Sequence, residues 1–181
     1  APKRVAESSW PDERRKWAES FGHLSMAAAI GTVDQRLAAL RSTPDILTIN
    51  YENIGWLIDQ YGDNWPFDMV FADESTRLKG LRISLQPGKR HKNGSLGEDY
   101  ITGQGAKRAK QLASVAHTKV RRWVNLTGSP APNGLVDLWG QNWFVDSGKR
   151  LGNSFSAFSN RWFRMAPGST REQQVLEPMP F

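Results

Sequence analysis

No cysteine occurs in the 181 residues. That excludes disulfides, thiolate metal sites and cysteine nucleophiles, and it suits a reducing compartment. Histidine is scarce. His23, His91 and His117 stand far apart and lack the spacing of metal ligands. No apolar run approaches the roughly 20 residues that span a bilayer, and no signal peptide precedes the first elements. These absences together predict a soluble, cytoplasmic protein. Acidic charge is missing from one stretch in particular. Between Lys79 and Arg122 there are eleven Lys/Arg against two acids, Glu98 and Asp99, a net of +9. The rest of the chain, with thirteen bases against sixteen acids, is slightly acidic. A concentrated basic segment attracts nucleic-acid phosphates, and it equally serves as a solvated surface that keeps a protein dispersed.

What is present is enough for one domain with a real core. Hydrophobic residues make up 39% of the sequence and eight are tryptophan, which rules out a disordered tail. Strand-length apolar runs alternate with helical periods. Ser9-Trp10-Pro11-Asp12-Glu13 reads as a helix start, with Ser9 as cap, Pro11 in the first turn and acids near the positive helix end. That helix should run to about Ser20. Leu24–Ile30 reads as a buried strand. Thr32-Val33-Asp34-Gln35 has the form of a capping box for a helix ending near Pro44. Ile46–Ile49 is β-rich, and Ile54, Leu57, Ile58 and Tyr61 recur at helical spacing. Phe67–Ala72 reads as a strand buried on both faces.

Residues 81–105 hold Pro87 and five glycines among many polar groups and read as a long loop insertion. A helix should follow over Ala106–His117, then a short buried strand at Trp123–Leu126, then helices over Leu135–Phe144 and Ser154–Phe163. The tail from 166 to 181, with Pro167, Pro178 and Pro180, reads as irregular. Strands and helices in this alternation predict an α/β fold around a parallel sheet with helices on both faces. Ligands of such sheets bind at the carboxyl ends of the strands.

Two segments sit at those ends. Val70-Phe71-Ala72-Asp73-Glu74-Ser75 delivers two adjacent carboxylates from an apolar strand. Desolvation and like charge both oppose ionising such a pair, and a magnesium ion removes the conflict. One acid would then hold the ion while the other orients or deprotonates a water. Asp73 or Ser75 equally suits a helix cap. Leu126-Thr127-Gly128-Ser129-Pro130 follows the second strand, and taken alone it is an ordinary turn before a proline.

Together the segments resemble motifs II and III of the superfamily-II helicases. Asp73-Glu74-Ser75-Thr76-Arg77-Leu78-Lys79 matches the Asp-Glu-x-x-Arg-x-Lys form of the Swi/Snf-like ATPases, and Leu126–Pro130 matches their Leu-Thr-Gly-[Thr/Ser]-Pro form. Ala131-Pro132-Asn133-Gly134-Leu135 with Asp137-Leu138-Trp139 resembles the segment after motif III in phage and prophage members. Ala1-Pro2-Lys3-Arg4 with Trp10 and Trp17 resembles motif Ia, and Ile49-Asn50-Tyr51-Glu52 resembles motif Ib. Gly80 departs from the Asn usual in the family.

The resemblance implies most of the first RecA-like lobe, over 1–165, of an ATP-dependent helicase or translocase that acts on nucleic acid, double-stranded DNA above all. It implies that Asp73 holds magnesium at the phosphates of ATP and that Glu74 activates the hydrolytic water. Thr127, Gly128 and Ser129 would couple nucleotide to nucleic acid, and Lys3, Arg4, Asn50 and Tyr51 would lie near the nucleic-acid backbone. The alternative is a truncated, non-catalytic module that binds nucleic acid or protein. A magnesium nuclease built on the acid pair leaves the Leu-Thr-Gly-Ser-Pro segment unexplained.

One part of such a motor is missing from the sequence. No segment reads G-x-x-x-x-G-K-[ST]. Gly103-Gln104-Gly105-Ala106-Lys107-Arg108 has the wrong spacing and no Ser or Thr after its Lys. In the family that loop comes before motif Ia, and the second lobe would lie beyond Phe181. With no initiator Met, the chain reads as a fragment or a processed product. Its Trp123–Leu126 strand would then form a sheet edge, open to self-association. The backbone N–H groups and Lys of that loop supply most of the grip on the triphosphate. The purified 181-residue chain is therefore expected to bind ATP weakly and to hydrolyse none; phosphate release stimulated by nucleic acid would refute this.

Overall fold

The computed structural model describes residues 1–86, 95, 100–168 and 176–180. The chain divides into two compact units, Ala1–Pro66 and Phe67–Phe181. The division falls after Gly62-Asp63-Asn64-Trp65-Pro66, a stretch rich in turn formers.

The first unit is a strand–helix–strand unit behind a helical entry. β1 (Met26–Ala28) pairs in parallel with β2 (Ile46–Thr48), Met26 opposite Ile46. Their starts are stapled together: the Ser25 N–H and hydroxyl both donate to Asp45 Oδ2, at 2.7 and 2.6 Å, and the Asp45 N–H returns to Ser25 Oγ at 2.9 Å. These donors hold the Asp45 carboxyl below its ordinary pKa.

The entry helix differs from the expected one. It begins upstream of Ser9 as a wide π turn over Val5–Ser9 and continues as α1 (Trp10–Lys16) and α2 (Ala18–Phe21). Ser9 is already helical and caps nothing. The Trp10 N–H reaches back five residues to Val5 O, immediately before Pro11. The wide turn fits that proline, whose ring clashes with the carbonyl four residues back in a regular helix.

α3 (Val33–Arg41) crosses between the two strands, and its capping box forms as the sequence predicts. The Gln35 N–H donates to Thr32 Oγ1 at 3.3 Å and the Thr32 N–H to Gln35 Oε1 at 2.8 Å. After β2 a 3-10 turn (Tyr51–Asn53) leads into α4 (Ile54–Tyr61), which buries Ile54 and Leu57.

The second unit holds the two strands that carry the sharpest motifs. β3 (Met69–Asp73) and β6 (Arg122–Leu126) run parallel and stay in register over all five residues, Asp73 opposite Leu126. α5 (Lys107–Ala116) connects them, burying Ala109, Leu112, Ala113 and Ala116 as its pattern predicts. β3 is not buried on both faces. Met69 and Phe71 are 37% and 53% exposed, whereas Ala72 is buried. Side chains alternate along a strand, and only one face of this pair is packed.

The ends of the 81–105 segment are strands, not loop. β4 (Arg82–Gln86) and β5 (Tyr100–Gln104) pair antiparallel; the middle of the segment lies outside the described residues. Gly103, at φ +127, sits so close to Arg82 O that a Cβ would lie 2.2 Å from it, so a glycine that looks like a loop former is a close-approach residue within a strand. The tail is partly ordered in the same way. β7 (Phe163–Met165) pairs antiparallel with β8 (Leu176–Pro178), where the prolines pointed to irregular chain. Among the described residues the strands thus form two parallel pairs and two antiparallel ones.

α6 (Leu138–Asp146) packs on β6, and α7 (Phe155–Trp162), whose first turn is capped by Ser154, packs on α6 and β4. Trp123 of β6 stacks on Phe144 of α6 with centroids 4.6 Å apart, and Trp139 is fully buried. Gly140 lets α6 approach the chain just after the acid pair: a Cβ there would lie 2.6 Å from Lys79 O and 2.8 Å from Leu78 O. Gly to Ala inside a helix ordinarily gains about 1 kcal/mol. Gly140→Ala is expected to reverse that sign and cost about 1–3 kcal/mol through overpacking against backbone, read as a lower midpoint in urea denaturation.

Candidate functional site

The register of β3 against β6 brings both motifs to one level. Asp73 ends β3 half-buried, and Thr127 follows its partner Leu126 directly. The chain leaves β3 sharply, because Glu74 adopts a left-handed conformation (φ 55°, ψ 52°). Its N–H donates to Asp73 Oδ1 at 3.0 Å, which fixes one carboxylate beside the turn, while the Glu74 side chain is exposed. Ser75–Leu78 then form a single 3-10 turn, with no side-chain cap at its start. The acids therefore do not serve as a helix cap.

Ser75 is fully buried, and its hydroxyl donates to Gln141 Oε1 of α6 at 2.8 Å. Gln141 Nε2 donates to Pro130 O at 2.6 Å and to Asp137 O at 3.2 Å. Asn125 of β6 donates to Gln141 O at 2.9 Å and accepts from Trp123 Nε1 at 2.8 Å. One turn later, Lys79 Nζ lies 3.2 Å from Asp137 Oδ2, which also accepts the Asn133 N–H at 2.9 Å. The side chain of Asp137 is 8% exposed, so this pair is shielded from solvent far more than a surface bridge. Arg82 follows closely. Its Nη1 donates to Lys79 O and Leu81 O, its guanidinium lies 3.9 Å from the centre of the Phe155 ring, and burial lowers its pKa against the opposing effect of Asp137.

In the Leu126–Pro130 segment the Thr127 Oγ1 accepts the Ser129 N–H at 3.2 Å, a local turn. Gly128 and Ser129 are exposed, and a Cβ on Gly128 would meet nothing. In the first unit Lys3 and Arg4 are exposed. Asn50 and Tyr51 are buried, and Asn50 spends its amide on Glu52 Oε2 at 2.9 Å and on the Asn53 side chain at 2.7 Å. Lys3 also borders a cleft of about 300 Å³ with Glu7, Gly31 and Gln35, beyond the end of β1.

Gln141 and Asn125 are functional candidates that the motifs do not flag, and Asp137, within the segment after motif III, joins them. The signal was available: Asp137 and Gln141 are spaced four apart on a helix otherwise marked by Leu138, Trp139, Trp143 and Phe144, so polar groups fall on its buried face. No group of three or more His, Asp or Glu gathers among the described residues. A divalent ion here would lean on one carboxylate and on the oxygens of its substrate, which is how magnesium is usually held. The half-buried Asp73, with one oxygen fixed by a backbone N–H, fits that role. Among the described residues no helix is long and apolar enough to cross a membrane. Lys107, Lys110, Arg121 and Arg122 are exposed, and no Asp or Glu occurs from residue 100 to residue 136. This part of the basic segment is solvent-facing.

No family model matches the chain. Protein p41 of Acyrthosiphon pisum secondary endosymbiont phage 1 is 44% identical over 182 residues, a match that covers 100% of this chain and 35% of that protein. The chain thus spans about a third of the length of the curated relative it matches. Among solved structures, the Sulfolobus solfataricus SWI2/SNF2 ATPase core in complex with dsDNA superposes with a TM-score of 0.58 at 20% identity, over 89% of this chain and 26% of that one. The chain therefore has the α/β fold of part of such a core, a RecA-like arrangement of parallel strands and helices.

A left-handed non-glycine residue costs about 1–2 kcal/mol, and the extra unfolded-state freedom of glycine returns about 0.5–1 of it. Glu74→Gly is accordingly expected to raise the stability of the chain by about 0.5–1 kcal/mol in urea melts. A net loss would mean that contacts of the Glu74 side chain, not the chemistry of the site, hold this conformation in place.

Proposed function

We propose that this chain is a segment of an ATP-dependent nucleic-acid motor, a translocase or helicase working on duplex DNA, and that it supplies the water-activating half of the ATPase site. One observation carries the reading. Two adjacent carboxylates leave the carboxyl end of β3 level with the Leu126–Pro130 segment, within a fold like part of a SWI2/SNF2 ATPase core.

Asp73 is the residue that would hold magnesium. When bound, that ion offsets the charge that builds on the phosphate oxygens during transfer. Glu74, exposed and presented by its left-handed backbone, orients the attacking water and takes its proton. Lys3 and Arg4 meet the nucleic-acid backbone through phosphate contacts, which position a strand without reading its sequence. Asn50 and Tyr51 act from within, by fixing the chain that follows β2. Thr127, Gly128 and Ser129 form the turn that answers to the nucleic acid. The grip on the triphosphate, and a second lobe, belong to other parts of the motor.

A second reading is a non-catalytic module that binds nucleic acid or protein. The two separate in the full-length protein that contains this segment, assayed for phosphate release with linear duplex DNA, single-stranded DNA and RNA in parallel. The motor reading expects turnover stimulated most by duplex DNA. Glu74→Gln should lower that turnover by about a hundredfold or more while leaving DNA binding in place. Duplex binding with no turnover would establish the module instead, and full turnover in the Glu74→Gln protein would remove Glu74 from the mechanism.

A further inference from the structure

We propose that Gln141 is a positioning residue that ties the acid pair to the Leu126–Pro130 segment, so that a shift of that segment is transmitted to Glu74 through one buried amide. The inference rests on the motor reading above.

The chemistry of the amide fixes its direction. Pro130 O and Asp137 O can only accept, so both must receive the Gln141 NH₂ group, at 2.6 and 3.2 Å. That leaves Oε1 toward Ser75, whose hydroxyl must then donate, at 2.8 Å. The result is a one-way chain from the Ser75 O–H through the amide to the Pro130 carbonyl. Ser75 is fully buried and Gln141 is 3% exposed, so water has little access to take over either role. Ser75 directly follows Glu74, whose left-handed backbone turns the chain away from Asp73. Movement of Pro130 rotates the amide, and the rotation reaches Ser75 and the residue before it.

The β3–β6 ladder joins Asp73 to Leu126 through backbone, at the near end of the Leu126–Pro130 segment; the Gln141 amide adds a side-chain link to its far end, at Pro130. Thr127 and Ser129 bond to each other across a local turn. Lys79 and Asp137 fasten the far end of the 75–79 turn to the same helix, four residues away on each side, and with Gly140 packed against Leu78 O and Lys79 O they hold the turn and α6 as one body. The Gln141 amide is the part of that body that reaches Pro130.

The test uses the full-length protein and reads the ratio of ATP turnover with linear duplex DNA to turnover without it. This ratio does not depend on how much of the sample is active, so a variant that merely loses folded protein leaves it unchanged. Gln141→Met keeps the length of the side chain and removes both ends of the link; it should lower the ratio about tenfold, the scale of one buried hydrogen bond. Ser75→Ala, a smaller change for use if the Met variant folds poorly, should do the same. The double variant should be no worse than either single one, because both break one connection. Unchanged ratios in the single variants, or losses that multiply in the double, overturn the proposal while leaving the motor reading intact. A wild-type protein that releases no phosphate overturns the motor reading and this proposal with it.

Discussion

The parallel ladder between β3 and β6 is the constraint on which the candidate site depends. Five residues pair without a slip, so Asp73 and Leu126 end their strands opposite one another. A slip of one residue would reverse every side chain on one strand, sending Ala72 outward and Phe71 inward. The packed face holds the register: Trp123 lies on Phe144, and Ala72 is buried. Two polar segments some fifty residues apart in sequence meet because this ladder is fixed.

The turn after the acids is held by a second device. Backbone approach at Gly140, the Ser75–Gln141 bond and the Lys79–Asp137 pair join it to α6 at three neighbouring points. Each polar member is satisfied by another, which is what a buried network requires if it is to hold structure in place. Glu74 can then keep a conformation that L-residues avoid, since the residues on both sides of it are fixed. Strain of this kind persists where the surroundings overdetermine it, and it gathers at functional sites.

Much of this was legible in the sequence. The capping box at Thr32 and Gln35, the α5 stripe and the β3 and β6 strands all follow from local pattern, because period and capping are properties of a few consecutive residues. The Ser9 cap was not, because the helix had already begun at Val5 and a wide turn made room for Pro11. The β4–β5 hairpin was hidden by its glycines. Gly103 and Gly105 resemble loop formers in sequence, yet Gly103 lets two strands close. Motif Ib names Asn50 and Tyr51 but not their burial, since a motif records which residues recur and not which way they face.

The sequence by itself determined the chemistry: an adjacent acid pair at the end of an apolar strand, a hydroxyl-rich turn after another, and a basic middle with few acids. It determined the helices and the parallel order as well, because hydrophobic period and crossover length are written in consecutive residues. Only the tertiary structure decided that Gln141, far along the chain and unmarked by any motif, joins the acid turn to Pro130. Only it decided that Glu74 stands in a left-handed turn, and that one face of β3 stays exposed. Those outcomes turn on distances between residues remote in sequence, and burial and hydrogen-bond satisfaction are settled only when such residues meet.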